Sequence, residues 1–438
     1  MMNTKTILLL TLLIIISACA PLEEENTPLM PMTQALPETP ITSPLPVKSE
    51  IDFVSNTEIQ YLPTQTDLLS ATQTDIPLPQ RPVWIAGIPH ADGTAWAVSF
   101  EDGSLSAYFV NNNGYEEIAI TPQRFSPEMP LTIYSSNGEL FALAAPGADA
   151  APYSQPIFLD AASGKIAYIA SNGDLVISEN DQETRLSVNA LLDSRILIDE
   201  HSRLLFLSSP TDRYTHGVLG DDIEATGITL VATKPELKVL QTIAIPEPDV
   251  IEGIYPIWAD LNNDGEREII VTLSNAQDGA RILAFREDGS LLAEGPAIGT
   301  GYRWRHQLVV APFGEFEEPL LAVIRTPHIG GVIEYYRLNG NTLEIVKSIS
   351  GFSTHSIGSR NLFTAQAGDF DSDGQVELLL PDQNQTRLGI IGVDGEPAFW
   401  LDLQAELVTN LAAVEVAEKG EVVIAGGLST NILRIWIQ

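Results

Sequence analysis

The stretch "ADLNNDGEREIIV", residues 259–271, sets oxygen-bearing side chains at alternate positions, turns through a glycine and runs on into an apolar segment. Asp260, Asn262, Asp264 and Glu268 occupy positions 1, 3, 5 and 9 of a loop with Gly265 at position 6. The pattern returns in "AGDFDSDGQVELLL" as Asp369, Asp371, Asp373 and Glu377 around Gly374. Alternate side chains of such a loop converge on one centre while the glycine takes the bend. An oxygen-only donor set of this density suits a hard cation, calcium above all. The position-7 carbonyls of Glu266 and Gln375 can each add a ligand. An EF-hand needs a glutamate at position 12 and helices on both sides. Position 12 is Val271 in one copy and Leu380 in the other, and "EIIVTL" and "ELLLPD" read as strands.

The surrounding chain reads the same way. From Val83 onward, short apolar or alternating runs are broken by Asp-Gly and Asn-Gly pairs, as in "WAVSFEDGSLSAYFV" and "KIAYIASNGDLVIS". Such pairs between strand-like runs are the strongest short-range hairpin signal, because type I′ turns need positive φ at both central residues. "LQAELVTNLAAVEVAE" reads as turn plus strand rather than helix. The turns repeat, at Gly289, Gly340 and Gly395 in the C-terminal half and at Gly103, Gly138 and Gly173 in the N-terminal half. Spacings near 50 and 35 residues, made only of strands, predict an all-β propeller with four antiparallel strands per blade. About 355 residues at roughly 50 per blade give seven blades, with six or eight as alternatives.

The pattern D-x-[DN]-x-D-G-x-x-E followed by a β-run resembles the FG-GAP (VCBS-type) repeat of integrin α-subunit propellers and many exported bacterial proteins. The resemblance covers about residues 250–400. It implies that each loop joins the first and second strands of a blade and binds calcium, giving two structural ions. "APFGEFEEPLLAVI", residues 311–324, stands where a third loop would fall but lacks the ligand set.

Ahead of the body, residues 1–19 form a secretory signal: Lys5, an apolar run from Ile7 to Ile16, and a small-residue site. Ile16-Ser17-Ala18-Cys19 resembles a bacterial lipobox, which implies lipidation of Cys19, the chain's single cysteine. Residues 20–82 hold eleven of the 29 prolines and no glycine, the composition of an extended spacer, although residues 51–80 are less proline-rich and could pack on the body. The expected organisation is signal peptide 1–19, spacer 20–82 and propeller 83–438. The expected location is extracytoplasmic, with lipid as the only membrane contact and the protein monomeric. The 23 Lys and Arg against 58 Asp and Glu give a net charge of −35, which disfavours nucleic acid as a partner.

Positive charge is concentrated in three segments, "YRWRHQ" (302–307), "RTPHIGG" (325–331) and "HSIGSRN" (355–361). Counted against the blade pattern, they fall at blade entries and at a second-to-third-strand connection. They should therefore share the face opposite the acidic loops. Arg303, Arg305, Arg325 and Arg360 would offer forked donors to an anion, His306, His328 and His355 donors or proton chemistry, and Tyr302 or Trp304 a stacking surface. The reading is a recognition module for an anionic or polar glycan, cell-wall component or protein, with no catalytic residue assigned. The alternative is a calcium-dependent lyase or hydrolase of acidic sugars, which lacks an assignable carboxylate pair. No zinc-spaced cluster, phosphate loop or nucleophile elbow is present.

Overall fold

In a computed structural model, described for residues 51–55, 61–314, 318–395, 397–416 and 420–438, the protein is all-β, with no helix among these residues. All belong to one compact unit, residues 41–438. The segment read as a signal peptide, Cys19 and the first part of the segment read as a spacer lie outside the described residues.

Of the 34 strands among the described residues, 32 fall into eight groups of four, while Tyr61–Leu62 and Val250–Ile251 are added partners, the latter helping to link the fourth to sixth groups into one thirteen-stranded sheet. The first is a plain antiparallel meander, Pro82–His90, Gly93–Phe100, Leu105–Asn111 and Gly114–Ile118. The second is built on Ile133–Ser136 and Glu139–Ala142, and the third spans residues 157–187. The fourth runs from residue 197 to 244. The fifth comprises Ile257–Ala259, Glu268–Ser274, Arg281–Arg286 and Leu291–Glu294, and the sixth Arg305–Ala311, Leu320–Arg325, Gly331–Asn339 and Thr342–Phe352. The seventh is Gln366–Gly368, Glu377–Pro381, Arg387–Ile391 and Pro397–Asp402. The eighth takes Leu407–Val416, Glu421–Leu428 and Ile432–Ile437 from the C-terminus and Thr72–Pro77 from the N-terminal side.

Apolar cores lie between consecutive groups. Ala167, Ile169, Leu204 and Phe206 fill the seam between the third and fourth; Ile270, Ile282, Leu321 and Val323 that between the fifth and sixth. Leu378 and Leu380 pack toward the sixth group while Leu379 and Ile390 pack toward the eighth. One further core joins Ile85, Trp96 and Val98 of the first group to Val414, Ala425 and Ile435 of the eighth. Each sheet is thus covered on both faces. This explains why second strands such as Glu268–Ser274 are buried throughout and read as unbroken apolar runs, whereas outer strands such as Gln182–Ser187 are mostly exposed. Successive meanders packed face to face in this way have the architecture of a β-propeller.

The turn glycines hold positive φ as their turns require, but the type I′ signature is narrower than the sequence suggests. Both central residues have positive φ at Asn137-Gly138 and also at Asn180-Asp181, where no glycine is present. Asp102-Gly103 has it at the glycine alone, in a wider turn whose Asp102 carboxylate accepts from the Ser104 N–H and hydroxyl.

Of the spacer drawn as 20–82, the described residues 51–55 and 61–82 belong to the body. Ile51–Val54 pairs with the first strand of the second group, Tyr61–Leu62 runs parallel to the first strand of the seventh, and Thr72–Pro77 completes the eighth. Leu62, Leu68 and Ile76 are buried, which supplies the apolar anchorage that the proline-rich residues before them lack. Arg434, buried, makes a two-pronged ion pair with Asp75 (both 2.7 Å) and donates to the Leu403 carbonyl (2.9 Å). Asp75→Ala should lower stability by about 1–3 kcal/mol, read as the shift in urea midpoint at constant slope, because half of the buried guanidinium loses its acceptor.

Candidate functional site

The two acidic loops adopt one geometry. Each joins the first and second strands of its sheet, residues 259–268 in the fifth and 368–377 in the seventh. Positive φ falls at equivalent positions, Asn263 (58°) and Gly265 (89°) in one, Ser372 (61°) and Gly374 (91°) in the other. The first carboxylate accepts from the glycine N–H in both copies, Asp260 from Gly265 and Asp369 from Gly374, each at 2.9 Å. The last carboxylate accepts from the N–H of position 2, Glu268 from Leu261 (2.8 Å) and Glu377 from Phe370 (3.0 Å). Asp264 and Asp373 each accept from the position-7 N–H of Glu266 and Gln375, both 2.8 Å. Each loop is therefore preformed by its own side chains.

They differ in how the negative charge is met. In the first loop the Asn262 amide donates to Asp264 (3.0 Å) and to Glu268 (3.2 Å), bridging two carboxylates. In the second, Asp369, Asp371 and Asp373 bring oxygens within 4.8 Å of one another. Asp369 is buried, and its Oδ1 has no hydrogen-bond partner. Burial, with the neighbouring charges of Asp371, Asp373 and Asp369, pushes the Glu377 carboxyl up to about 8. Burial raises Asp371 as well, and Asp373, Asp369 and Asp67 add to it. Burial likewise raises Glu268 in the first loop. Crowded, desolvated carboxylates with an orphaned oxygen are the donor set a divalent cation satisfies.

The opposite ends of the same sheets carry the second cluster. The strand Glu268–Ser274 begins at the first loop and ends, about 20 Å away at the rise of an extended chain, where the Ser274 hydroxyl donates to Glu252. Glu252 is fully buried and is also bonded to Nδ1 of His216. Around this pair the rings form a ladder. His216 lies 5.3 Å from Tyr302 and 6.5 Å from His328; His328 lies 5.7 Å from His355; Trp304 lies 5.0 Å from His355 and stacks on His306 at 5.1 Å. Tyr214 packs on both His216 and Tyr302. His306, His328 and His355 therefore do come together at one place, as their blade positions imply.

Their chemistry follows from burial. Desolvation, with His355 adding to it, lowers His306 to about 3; desolvation also lowers His355 to about 4 and brings His328 down. Burial thus favours the neutral imidazole at all three. His355 Nε2–H donates to the Ser359 carbonyl (2.8 Å), which leaves Nδ1 as a lone-pair acceptor, buried and without a partner. His328 Nδ1 is likewise buried without a partner. Beside them Tyr302, Ile329 and Ile357 are exposed.

The arginines are differently disposed. Arg305 is buried and shares Glu334 with Arg325 (2.9 and 2.8 Å), while its Nη1 donates to the Ala280 and Pro296 carbonyls. Arg360 pairs with Asp193 (2.8 Å) and Asp221 (2.5 Å) and lies over the Tyr153 ring. Arg303 is exposed and, among the described residues, donates to the Ile298 carbonyl at 3.5 Å. Three of the four predicted anion donors are thus committed to internal carboxylates.

Residues missed from sequence complete the face. Glu224 and Glu252 are both buried here and both raised, by burial first; Glu224 is raised further by the Glu252 charge, while His216 offsets part of the rise at Glu252. The signal for His216 is Arg213-x-x-His216-Gly217, which repeats the spacing of Arg325-x-x-His328 in the equivalent second-to-third-strand connection two sheets on. The buried glutamates had no signal, because isolated carboxylates in an acidic chain do not stand out.

No family model matches the chain, and no curated protein matches it. Among solved structures, Sqt1 of Saccharomyces cerevisiae aligns with a TM-score of 0.39 and 8% identity over 86% of this chain and 100% of its own. YCF48, in a structure with the D1 peptide bound, aligns with the same TM-score and coverage at 9% identity. What fold and site together define is an all-β, propeller-type chain carrying acidic loops at one end of its strands and a histidine–tyrosine cluster at the other.

Proposed function

We propose that the chain is an exported, calcium-braced β-propeller that acts as a recognition module. The blade count is eight, supported by eight strand groups and by the apolar core between the first and the last. Eight rather than seven units fit the length because the N-terminal units are shorter than 50 residues. The two FG-GAP-like loops each hold a structural calcium ion, through Asp260, Asn262, Asp264, the Glu266 carbonyl and Glu268, and through Asp369, Asp371, Asp373, the Gln375 carbonyl and Glu377. The signal sequence exports the chain, and lipid on Cys19 holds it at the membrane.

The ligand face is the histidine–tyrosine cluster, and the observation that carries it is the pair of buried, unpartnered imidazole Nδ1 atoms of His328 and His355. The lone pair on His355 Nδ1 can accept from a hydroxyl or amide N–H, His328 Nδ1 can donate or accept according to its tautomer, and the half-exposed Tyr302 ring offers a stacking surface. With Arg305, Arg325 and Arg360 occupied, a polar, donor-rich ligand such as a neutral glycan fits better than an anion. A glycan array in calcium tests it. His328→Ala and Tyr302→Ala should each weaken the captured glycan at least tenfold with the melting temperature unchanged, and Arg303→Ala should not. Undiminished binding in both variants would overturn the assignment.

A second reading is favoured by one observation: the Glu252–His216 contact beside a second buried carboxylate, Glu224, is an arrangement able to accept and return a proton. In that reading the chain is a calcium-dependent lyase or hydrolase acting on acidic sugars. New ultraviolet absorbance from an unsaturated uronate, abolished in His216→Ala, would establish it in place of binding alone.

A further inference from the structure

The N-terminal segment is built into the second acidic loop. Thr66 N–H donates to the Asp369 carbonyl and Leu68 N–H to the Phe370 carbonyl, both at 2.9 Å, and Asp67 forms a bridge with Asp371. Gln65 Nε2 donates to Asp369 Oδ2 at 2.7 Å, on the same carboxylate whose Oδ1 is buried without a partner. Leu62 and Leu68 pack into a core with Phe370, Leu403 and Leu407. Upstream, Tyr61–Leu62 lies along the first strand of the seventh sheet, and Ile51–Val54 along the first strand of the second. Tyr61 also lines a cavity of about 250 Å³ with Arg195, Tyr255, Ala259, Val309 and Phe363, from the first strands, or their approaches, of the fourth to seventh sheets. The segment therefore passes among the first strands and reaches the second loop from the inside. In the first loop Asn262, from within the loop, occupies the place between the carboxylates.

We propose that the second loop fastens the N-terminal segment: Gln65 is a positioning residue for a divalent cation held by Asp369, Asp371, Asp373 and Glu377, and loading that loop locks residues 61–68 to the body. The inference rests on the calcium reading above. The Gln65 amide sets the rotamer of Asp369, so that Oδ1 faces the other carboxylates. The backbone of Thr66 to Leu68 holds the strand-end from which Asp369 and Phe370 enter the loop. Because binding linkage is reciprocal, whatever the segment adds to ion affinity the ion returns as stability of the segment. The latch lies after the Ile51–Val54 pairing, so loading the loop fixes the stretch that runs from the second sheet to the seventh.

The test uses the full-length chain with calcium chloride or EDTA. Calorimetric titration of Asp264→Ala, which weakens the first loop, reads the second loop alone; adding Gln65→Ala should weaken its calcium affinity about tenfold. Hydrogen exchange at the Thr66 and Leu68 amides should slow at least tenfold on adding calcium. That slowing should persist in Asp264→Ala and vanish in Asp371→Ala. Gln65→Met, which keeps the bulk of the side chain but cannot donate to Asp369, should weaken the affinity as Gln65→Ala does, a result that simple packing would not give. Calcium taken up by the second loop with unchanged affinity in Gln65→Ala, and with unchanged exchange at Thr66 and Leu68, overturns the latch and leaves the cation reading standing. No calcium uptake in any variant overturns both.

Discussion

Glu334→Ala should cost about 3–5 kcal/mol of folding stability, the range for removing one partner of a buried ion pair and leaving the other charge uncompensated. Glu334 stands on the third strand of the sixth sheet and is almost fully enclosed. Its two oxygens accept from Arg305, from Arg325 and from the Tyr336 hydroxyl (2.8 Å). Arg305 is also enclosed, so without the carboxylate its charge retains only the two carbonyl acceptors. Arg325 is partly exposed and can turn toward water. Glu334→Gln should cost less, because one oxygen remains to accept. Urea unfolding at neutral pH measures both, and a loss under about 1 kcal/mol for the alanine variant would mean that Arg305 is hydrated. The result also bears on recognition. An arginine enclosed and held by Glu334 and two backbone carbonyls, as Arg305 is, is committed to internal acceptors rather than to an external anion.

Calcium should raise the melting temperature, and Asp369→Ala should remove the second loop's share of the rise. At a free concentration one hundred times the dissociation constant, each site contributes about 2.7 kcal/mol. The effect should depend on pH in a definite sense. In the ion-free protein Glu377 titrates near 8, well above the ordinary carboxyl range, so the folded state holds a proton that the unfolded chain releases. That contribution to stability is fully present below about pH 4.5 and is lost as pH rises toward 8. Melting in EDTA should therefore fall across this window. In calcium the ionised carboxylate is the favoured form, and the decline should flatten or reverse. Calcium uptake at pH 7 should accordingly release protons, read as a dependence of the binding heat on buffer ionisation enthalpy. Equal melting curves with calcium and EDTA for the unmutated chain would refute the metal assignment.

Much of this architecture could be read in one dimension because its determinants are local. A glycine between alternating carboxylates bends a loop whatever lies around it, and Asp260 to Glu268 and Asp369 to Glu377 carry their own hydrogen-bond acceptors for that bend. Turn pairs and short apolar runs mark strands through backbone preference alone. The histidine segments could be placed on one face by counting strands, and His306, His328 and His355 do meet.

What could not be read is pairing between distant residues. Arg305, Arg325 and Arg360 looked like free donors because Glu334, Asp193 and Asp221 lie 29, 9 and 167 or 139 positions away, and nothing local marks these among 58 acids. Residues 61–77 looked like spacer because their strands have partners about 300 to 360 positions on. The chain's own order determined the bends, the strand rhythm and the two opposed ends of each sheet. Only the tertiary structure decided which charges are spent internally, that Glu252 and His216 meet, and that Gln65 reaches Asp369. Local conformational preference is a property of neighbours in sequence, whereas the partner of a buried charge is set by the desolvation that folding imposes on both.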